Sequence, residues 1–262
     1  MNPGAEYASS DYDIRHRFTF TASYAIPGKN GYGQILKGWK LNGIVSLQTG
    51  QPWLVDDTGN DFIGTGESTD RWNFYGNPSD FTSGASSFPY CQGFGVTKTG
   101  GFDTSNVTCT SQSGISGIVS TLPSSLSAKC TAVSSDPNTL AAGGCYVKGS
   151  SVMVPPKQGT YGTMGRNIFR DGGFKNVDFS VFKDFKFKER YNAQFRWELF
   201  NVFNHPNIAN PYGAAAGFGG GMDPSATTTF GSGIQTPDVG AGNPLLGSGG
   251  PRLMQLGLKL TF

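Results

Sequence analysis

The chain has 262 residues, of which 37% are hydrophobic and 15% charged, and its formal net charge is +2. No run approaches the ~18 apolar residues of a membrane-spanning helix, and the lack of basic blocks argues against nucleic acid as a partner. Glycine is the outlier, because its 39 residues are about twice the ~7% average share. With 20 Phe and 10 Tyr, this composition favours a β-rich chain with many loops.

Two alternating segments near the start of the chain are the first predicted strands. Residues 17–26 place Phe18 and further apolar side chains on one face and Arg17 on the other. Residues 39–48 repeat the pattern, with Lys40 on the polar face. Because successive side chains of a strand point to opposite faces, each segment is predicted to have one apolar face and one polar face.

The third and fourth predicted strands cover residues 176–185 and 191–202, which alternate in the same way. Four charged side chains fall on their polar faces, namely Asp178, Asp184, Arg196 and Glu198. The short segment between them predicts an antiparallel hairpin.

The register of this hairpin decides which charges face each other. With a three-residue turn at 186–188, Asp178 lies opposite Arg196 and Asp184 lies opposite Arg190. Opposite charges on neighbouring strands stabilise the pair by about 0.2–1 kcal/mol. A register shifted by two residues would set two acidic side chains against each other, so we predict the first register.

The last predicted strand closes the chain. Its apolar face consists of alternate residues, namely Met254, Leu256, Leu258, Leu260 and Phe262, and Lys259 lies on the polar face. The length matches the ~9 to 11 residues with which a tilted strand crosses a bilayer. A strand that is apolar on one side and polar on the other suits a transmembrane barrel, although the edge strand of a soluble sandwich has the same pattern.

The connections alternate between short and long. Residues 27–38 and 186–188 are short, whereas 50–172 and 204–250 are long and rich in turn-forming residues. Outer-membrane barrels commonly pair short periplasmic turns with long extracellular loops. The sequence therefore predicts an all-β fold of about five antiparallel transmembrane β-barrel strands, with two long extracellular loops.

In that arrangement the polar faces line the barrel lumen. The predicted lumen-facing charges are Arg17, Lys40, Asp178, Asp184, Arg196, Glu198 and Lys259. They either line a substrate path or pair with each other in a solvated interior. Because even the smallest natural barrels have about 8 strands, we expect the chain to be part of a larger barrel, or a gene remnant.

All four cysteines lie in the first long connection, at Cys91, Cys109, Cys130 and Cys145. No pair has the Cys-x-x-Cys spacing of a zinc site, so disulfides in an oxidising compartment are predicted. Four cysteines allow three connectivities, and both a sequential and a nested pairing stay open.

No catalytic, cofactor or metal signature is evident elsewhere in the sequence. His16 and His205 stand far apart, and no nucleophile elbow, zinc-protease motif or complete phosphate-binding loop occurs. We therefore expect neither an enzyme nor a cofactor. Aromatic residues of the long connection either contact a ligand or pack within it, namely Trp53, Trp72, Phe74, Tyr75 and Tyr90.

Several motifs carry a family resemblance. They are Tyr-Gly-Thr-Met-Gly-Arg-Asn at 161–167, the alternating segment at 176–183, Phe-Arg-Trp-Glu-Leu-Phe-Asn-Val-Phe-Asn-His-Pro-Asn at 195–207, and the closing segment at 251–262. Residues 13–18, 70–71 and 76–78 carry the resemblance as well. Together they resemble the C-terminal end of TonB-dependent receptor barrels of the Oar-like group, which carries a carboxypeptidase-regulatory-like N-terminal domain.

The resemblance implies a plugged outer-membrane barrel of about 22 strands, driven by the TonB complex through an N-terminal part that this sequence does not include. It also implies that the terminal strand, with Met254, Leu256, Leu258, Leu260 and Phe262, is the signal for the barrel-assembly machinery. Expected partners are outer-membrane lipid, that machinery and an unknown bulky nutrient. The alternatives are a surface binding or adhesion module anchored by the barrel, and a soluble secreted β protein.

Overall fold

The structure, a computed structural model, describes residues 3–28, 34–66, 69–82, 84, 86–113, 117–187, 191–208, 223–228, 230–231 and 250–262. These residues divide into two compact units. The sheet unit lies within residues 14–49, 173–207 and 242–262, and the disulfide unit within 1–13, 50–172 and 208–241. Among the described residues, no helix has the length and apolar character that crossing a bilayer requires.

Most of the regular structure is strand. In chain order the strands are β1 (Arg17–Ala25), β2 (Trp39–Gln48), β3 (Pro52–Trp53), β4 (Asn73–Tyr75), β5 (Tyr90–Gln92), β6 (Gly95–Val96), β7 (Phe102–Asp103), β8 (Thr108–Gln112), β9 (Val119–Leu122), β10 (Cys145–Lys148), β11 (Ser151–Val154), β12 (Phe169–Arg170), β13 (Phe174–Phe187), β14 (Tyr191–Phe200) and β15 (Leu253–Thr261). The helices are α1 (Ser127–Val133) and α2 (Pro137–Gly143), with 3-10 turns at Pro3–Glu6, Pro78–Phe81 and Ser124–Leu126.

The sheet unit is one antiparallel sheet in the order β1-β2-β13-β14-β15. Its five strands are the five that alternation predicts, so the antiparallel all-β expectation is confirmed. The largest difference in length is at β13, which has 14 residues, where the pattern predicted 176–185. The extra residues pair with β2 at one end and with β14 at the other.

Most of the apolar side chains of this sheet lie on one face. A single row across the five strands consists of Tyr24, Leu41, Val181, Trp197 and Leu256. On β15 the exposed fractions are 63% for Leu256, 68% for Leu258 and 63% for Leu260. An edge strand of a soluble sandwich would bury these leucines against a second layer. The structure leaves them uncovered.

The predicted register of the β13–β14 hairpin is wrong. Arg196 pairs with Phe182, and Asp184 pairs with Gln194, while Arg190 lies outside the described residues. The turn predicted at 186–188 does not begin at Lys186, because β13 continues to Phe187, which pairs with Tyr191. Residue 188 lies outside the described residues. A shift by an even number of residues keeps every side chain on its own face, so alternation does not distinguish these registers.

The disulfide unit contains the segment 50–172, which we predicted as a long external loop. It has a six-stranded sheet in the order β4-β11-β10-β5-β8-β9, together with α1 and α2. Its strands have two to five residues. Strands this short show no sustained alternation, and so the pattern did not reveal them.

Aromatic side chains dominate one of the two buried clusters of the disulfide unit. The Trp53 ring stacks on the Phe169 ring at 4.7 Å between centroids, and the Phe81 and Phe88 rings meet edge to face at 4.7 Å. Trp72 is fully buried. Because aromatic rings each bury a large apolar area, this cluster is a core of the kind found in water-soluble domains.

Candidate functional site

The polar face of the sheet unit carries a hydrogen-bonded network of charged and amide side chains. Lys40 Nζ lies 3.6 Å from Asp184 Oδ2. Gln194 Nε2 donates to Asp184 Oδ1 at 2.8 Å, and Arg196 Nε donates to Gln194 Oε1 at 2.7 Å. Three of the predicted lumen-facing charges therefore meet on three neighbouring strands, with Gln194 as the link that sequence reasoning did not identify.

The remaining predicted charges share that face but have other neighbours. Asp178 Oδ1 accepts hydrogen bonds from Asn176 Nδ2 at 2.8 Å and from the Asn201 backbone N–H at 2.9 Å. Arg17, Glu198 and Lys259 lie opposite Gln48, Gln255 and Gln194, respectively. The face as a whole is polar, as expected, and its assignment to a barrel lumen stays a prediction.

A buried lysine lies on the apolar face. Lys183 occupies the same row as Trp39, Phe195 and Leu258, yet its residue is only 2% exposed. Its ammonium group donates to the backbone carbonyls of Gln34 and Lys37. These carbonyl groups replace the hydrogen bonds to water that the ammonium group loses on burial.

Two aromatic rings complete the surroundings of this ammonium group. Lys183 Nζ lies 5.2 Å from the ring centroid of Trp39 and 4.8 Å from that of Phe185. Cation–π attraction of this kind is strongest when the cation is desolvated. In the sequence, the feature that could have indicated this buried lysine is its apolar position in the alternating segment, between Val181 and Phe185.

The Asn-rich motif after β14 has a defined structural role. Asn201 Nδ2 donates to the carbonyls of His205 at 2.9 Å and Gly250 at 2.7 Å, and Asn204 Oδ1 accepts from the Arg252 N–H at 3.0 Å. Asn201 and Asn204 both have positive φ, at 50° and 51°, a region that Asn tolerates better than most residues. These amides end β14 and hold the chain as it leads into β15.

The terminal strand keeps the predicted assembly-signal residues on one side. Met254, Leu256, Leu258 and Leu260 are exposed on the apolar face of β15, and Phe262 is 94% exposed just beyond the strand end. This geometry does not test recognition by the barrel-assembly machinery, which stays a prediction.

The four cysteines form two disulfides in the disulfide unit. Cys91 is bonded to Cys109, and Cys130 is bonded to Cys145. This is the sequential pairing of the two that the sequence left open. All four residues are at most 1% exposed, and the disulfides lie within the second buried cluster, among Val147 and other aliphatic side chains.

Three aromatic candidates for ligand contact are instead part of the core. Trp53, Trp72 and Tyr90 are buried, and Phe74 packs against the same cluster. Tyr75 is 40% exposed. Most of these aromatic residues therefore pack within the long connection, which is the second of the two interpretations that the sequence left open.

Buried carboxyl groups organise the first part of the disulfide unit. Asp57 accepts hydrogen bonds from Trp72 Nε1 at 2.7 Å and from the Gly59 N–H at 2.9 Å. Desolvation by burial raises the pKa of Asp57, an effect that these hydrogen bonds partly offset. Burial, followed by the charge of Asp223, also raises the pKa of Asp56. The groups that donate these hydrogen bonds to Asp57 lie in the disulfide unit itself, which indicates a structural role for this carboxyl group.

Among the described residues, the only group of three or more side chains with metal-ligand geometry is Cys91, Cys130 and Cys145. Their sulfur atoms are engaged in the two disulfides. A disulfide sulfur is not the thiolate that a metal requires. The geometry of this group therefore reflects disulfide packing.

The comparison with protein families identifies a match over most of the chain. A family model described as outer membrane beta barrel domain matches residues 1–254, which is nearly the whole chain. No significant match is found among curated proteins or among solved structures.

Proposed function

The chain belongs to the outer membrane beta barrel domain family, and on that basis we propose that it forms the C-terminal barrel segment of a TonB-dependent receptor-like transporter. The family places the protein in the bacterial outer membrane. Within the proposal, the five strands of the sheet unit are one part of the barrel wall, and the barrel imports a bulky nutrient when whole.

The observation that carries this proposal is the opposite character of the two faces of one sheet. The apolar face of β15 exposes Leu256, Leu258 and Leu260, while the polar face carries the Lys40, Asp184 and Gln194 network. Hydrocarbon on one side and water on the other would satisfy both faces, and a transmembrane barrel wall provides that environment. A closed barrel also pairs β1 and β15, which are the edge strands of this sheet among the described residues.

The finer assignment to TonB-dependent receptors is supported by the motifs that carry the resemblance. The segment at 195–207 provides the amides that link β14 to β15. Sidedness follows from connection length, so we place the long connections on the extracellular side and the short connection between β13 and β14 on the periplasmic side. Contact with the TonB complex would belong to an N-terminal part outside this sequence.

Membrane location and transport need separate tests. Expressed in a Gram-negative host, the chain should fractionate with the outer membrane and leave it only with detergent. Extraction with high salt or alkaline buffer alone would contradict the membrane assignment.

Transport is tested in the native bacterium with fluorescently labelled oligosaccharides and peptides too large for passive diffusion. Uptake of at least one probe should fall both when the gene is deleted and when TonB is deleted. A probe that binds to the cell surface through this gene, without TonB dependence, would instead favour the adhesion module and overturn the transporter assignment.

A further inference from the structure

Three of the four cysteines lie side by side on adjacent strands. Cys145 on β10 pairs in register with Cys91 on β5, and Cys91 pairs in register with Cys109 on β8. Cys91 therefore has a cysteine directly opposite it on both sides. It is bonded to only one of them, Cys109.

The fourth cysteine approaches from the helix. Cys130 of α1 is bonded to Cys145, and the sulfur atoms of Cys91, Cys130 and Cys145 all lie within 4.8 Å of one another. Cys109 is not a member of this group of three. The two disulfides are thus neighbours, and Cys91 is the point at which they meet.

We propose that the four cysteines form a single thiol–disulfide exchange site in which Cys91 is the shared member. Whenever the Cys91 thiol is free, it displaces one partner of the Cys130–Cys145 disulfide. This property is independent of the proposed transport function, because it depends only on the fold of the disulfide unit.

The exchange step is balanced without an external redox partner. The Cys91 thiolate attacks the Cys145 sulfur, a Cys91–Cys145 bond forms, the Cys130–Cys145 bond breaks, and Cys130 leaves as a thiolate that takes up a proton. Attack on the Cys130 sulfur releases Cys145 in the same way. One disulfide and one thiol are present before and after the step, as in any thiol–disulfide exchange.

Such an exchange has a use during oxidative folding. The two disulfides form one at a time, so a chain with one disulfide still has two free thiols. A mispaired Cys91–Cys145 or Cys91–Cys130 bond in that intermediate is converted to the native pairing inside the folded unit. Global unfolding would then not be needed for correction.

The backbone around Cys91 is closely packed, which keeps the cysteines in position. Gly144, which precedes Cys145, has a φ of 66°, and a Cβ atom there would lie 2.6 Å from the Cys91 carbonyl oxygen. Only glycine combines this conformation with this approach. The β5–β10 contact that places Cys91 beside Cys145 therefore depends on Gly144.

The test compares two variants that remove the same disulfide. Cys109→Ser leaves the Cys91 thiol free, whereas Cys91→Ser leaves the Cys109 thiol free. Each full-length variant is incubated at mildly alkaline pH, trapped by acid and alkylation, and its disulfides are mapped by mass spectrometry. In Cys109→Ser we expect Cys91 in a disulfide with Cys130 or Cys145 in about a tenth of the molecules or more.

The matched variant should keep the native Cys130–Cys145 bond, with Cys109 alkylated throughout. If Cys91 is also fully alkylated in Cys109→Ser, while circular dichroism shows both variants folded to the same extent, the exchange site does not exist. Equal scrambling in the two variants would also overturn it, because it would indicate unfolding instead of exchange through Cys91.

A measurement on the unmodified protein covers the case in which either variant fails to fold. Limited reduction with a small dithiol opens one disulfide per molecule, and the products are trapped and mapped in the same way. One-disulfide species with a Cys91–Cys145 or Cys91–Cys130 bond are expected. Only Cys91–Cys109 and Cys130–Cys145 species at every time point would refute the proposal.

Discussion

The two units differ in how far they expose large apolar side chains to their surroundings. Trp197 and Leu258 of the sheet unit are 37% and 68% exposed, whereas Trp53 and Trp72 of the disulfide unit are at most 2% exposed. An apolar side chain is stable wherever it avoids water, and hydrocarbon serves that purpose as well as a protein core. The contrast indicates that each unit is built for a different surrounding medium.

The largest expected effect is in the disulfide unit. Trp72→Ala should lower the free energy of unfolding of this unit by about 3–5 kcal/mol, because it empties part of the aromatic core and removes the hydrogen bond to Asp57. Denaturant unfolding in detergent solution, followed by near-UV circular dichroism, measures the change. The control is Trp197→Ala on the apolar face, which should cost clearly less, and equal losses would contradict the contrast between the units.

A charge on the apolar face tests the sheet unit. Leu256→Arg should cost about 2–4 kcal/mol if this residue lies near the bilayer midplane, and should reduce the amount of protein assembled in the outer membrane. The control is the neighbouring Gln255→Arg on the polar face, opposite Glu198. If both variants assemble like the unchanged protein, the apolar face does not contact lipid.

Alkaline pH should affect the disulfide unit through its buried tyrosines. Burial raises the pKa of Tyr90 to about 12, above the usual value of about 10 for a tyrosine, so the unfolded state loses its proton first. Stability from this group is present below pH ~10 and is lost as the pH rises towards ~12, by about 2–3 kcal/mol.

Tyr90→Phe should therefore flatten the decline in stability between these pH values, at the cost of the hydrogen bond to the Gly143 carbonyl. The exposed Tyr75→Phe serves as the control and should leave the decline unchanged. Tyrosinate absorbance and denaturant unfolding, measured over the same pH range, check the result. An unaltered pH profile in Tyr90→Phe would contradict this assignment.

The smallest effect is expected on the polar face. Asp184→Ala removes both the ion pair with Lys40 and the hydrogen bond from Gln194, and should cost at most about 1 kcal/mol because such pairs are screened by water. Asp184→Asn keeps an acceptor for Gln194 and should cost less. A loss of several kcal/mol of unfolding free energy in either variant would show that water does not reach the polar face.

The position of each long strand could be predicted because the pattern that specifies it is local. Alternation from Trp39 to Gln48 coincides with β2, and Leu253–Thr261 forms β15. The hairpin register could not be predicted in this way. The pairing of Asp184 with Gln194 depends on how far β13 extends, and that is decided by pairing along both of its edges.

The candidate exchange site was visible in the sequence only as four cysteines with several possible pairings. Cys91 and Cys145 are 54 residues apart in the sequence, and their contact exists because β5 and β10 are neighbours in the sheet. Lys183 is a similar case. The sequence places it in an apolar row, but the carbonyls that accept its hydrogen bonds come from the connection before β2.

By itself, then, the sequence determined the five membrane-type strands and the character of their faces, since a period of two residues is a property of neighbouring positions in the chain. The tertiary structure alone decided that residues 50–172 contain a folded unit with an aromatic core, which disulfides form, and which charges meet on the polar face. Those features arise from contacts between segments that are distant in the sequence, and their strands are too short to carry a periodic signal.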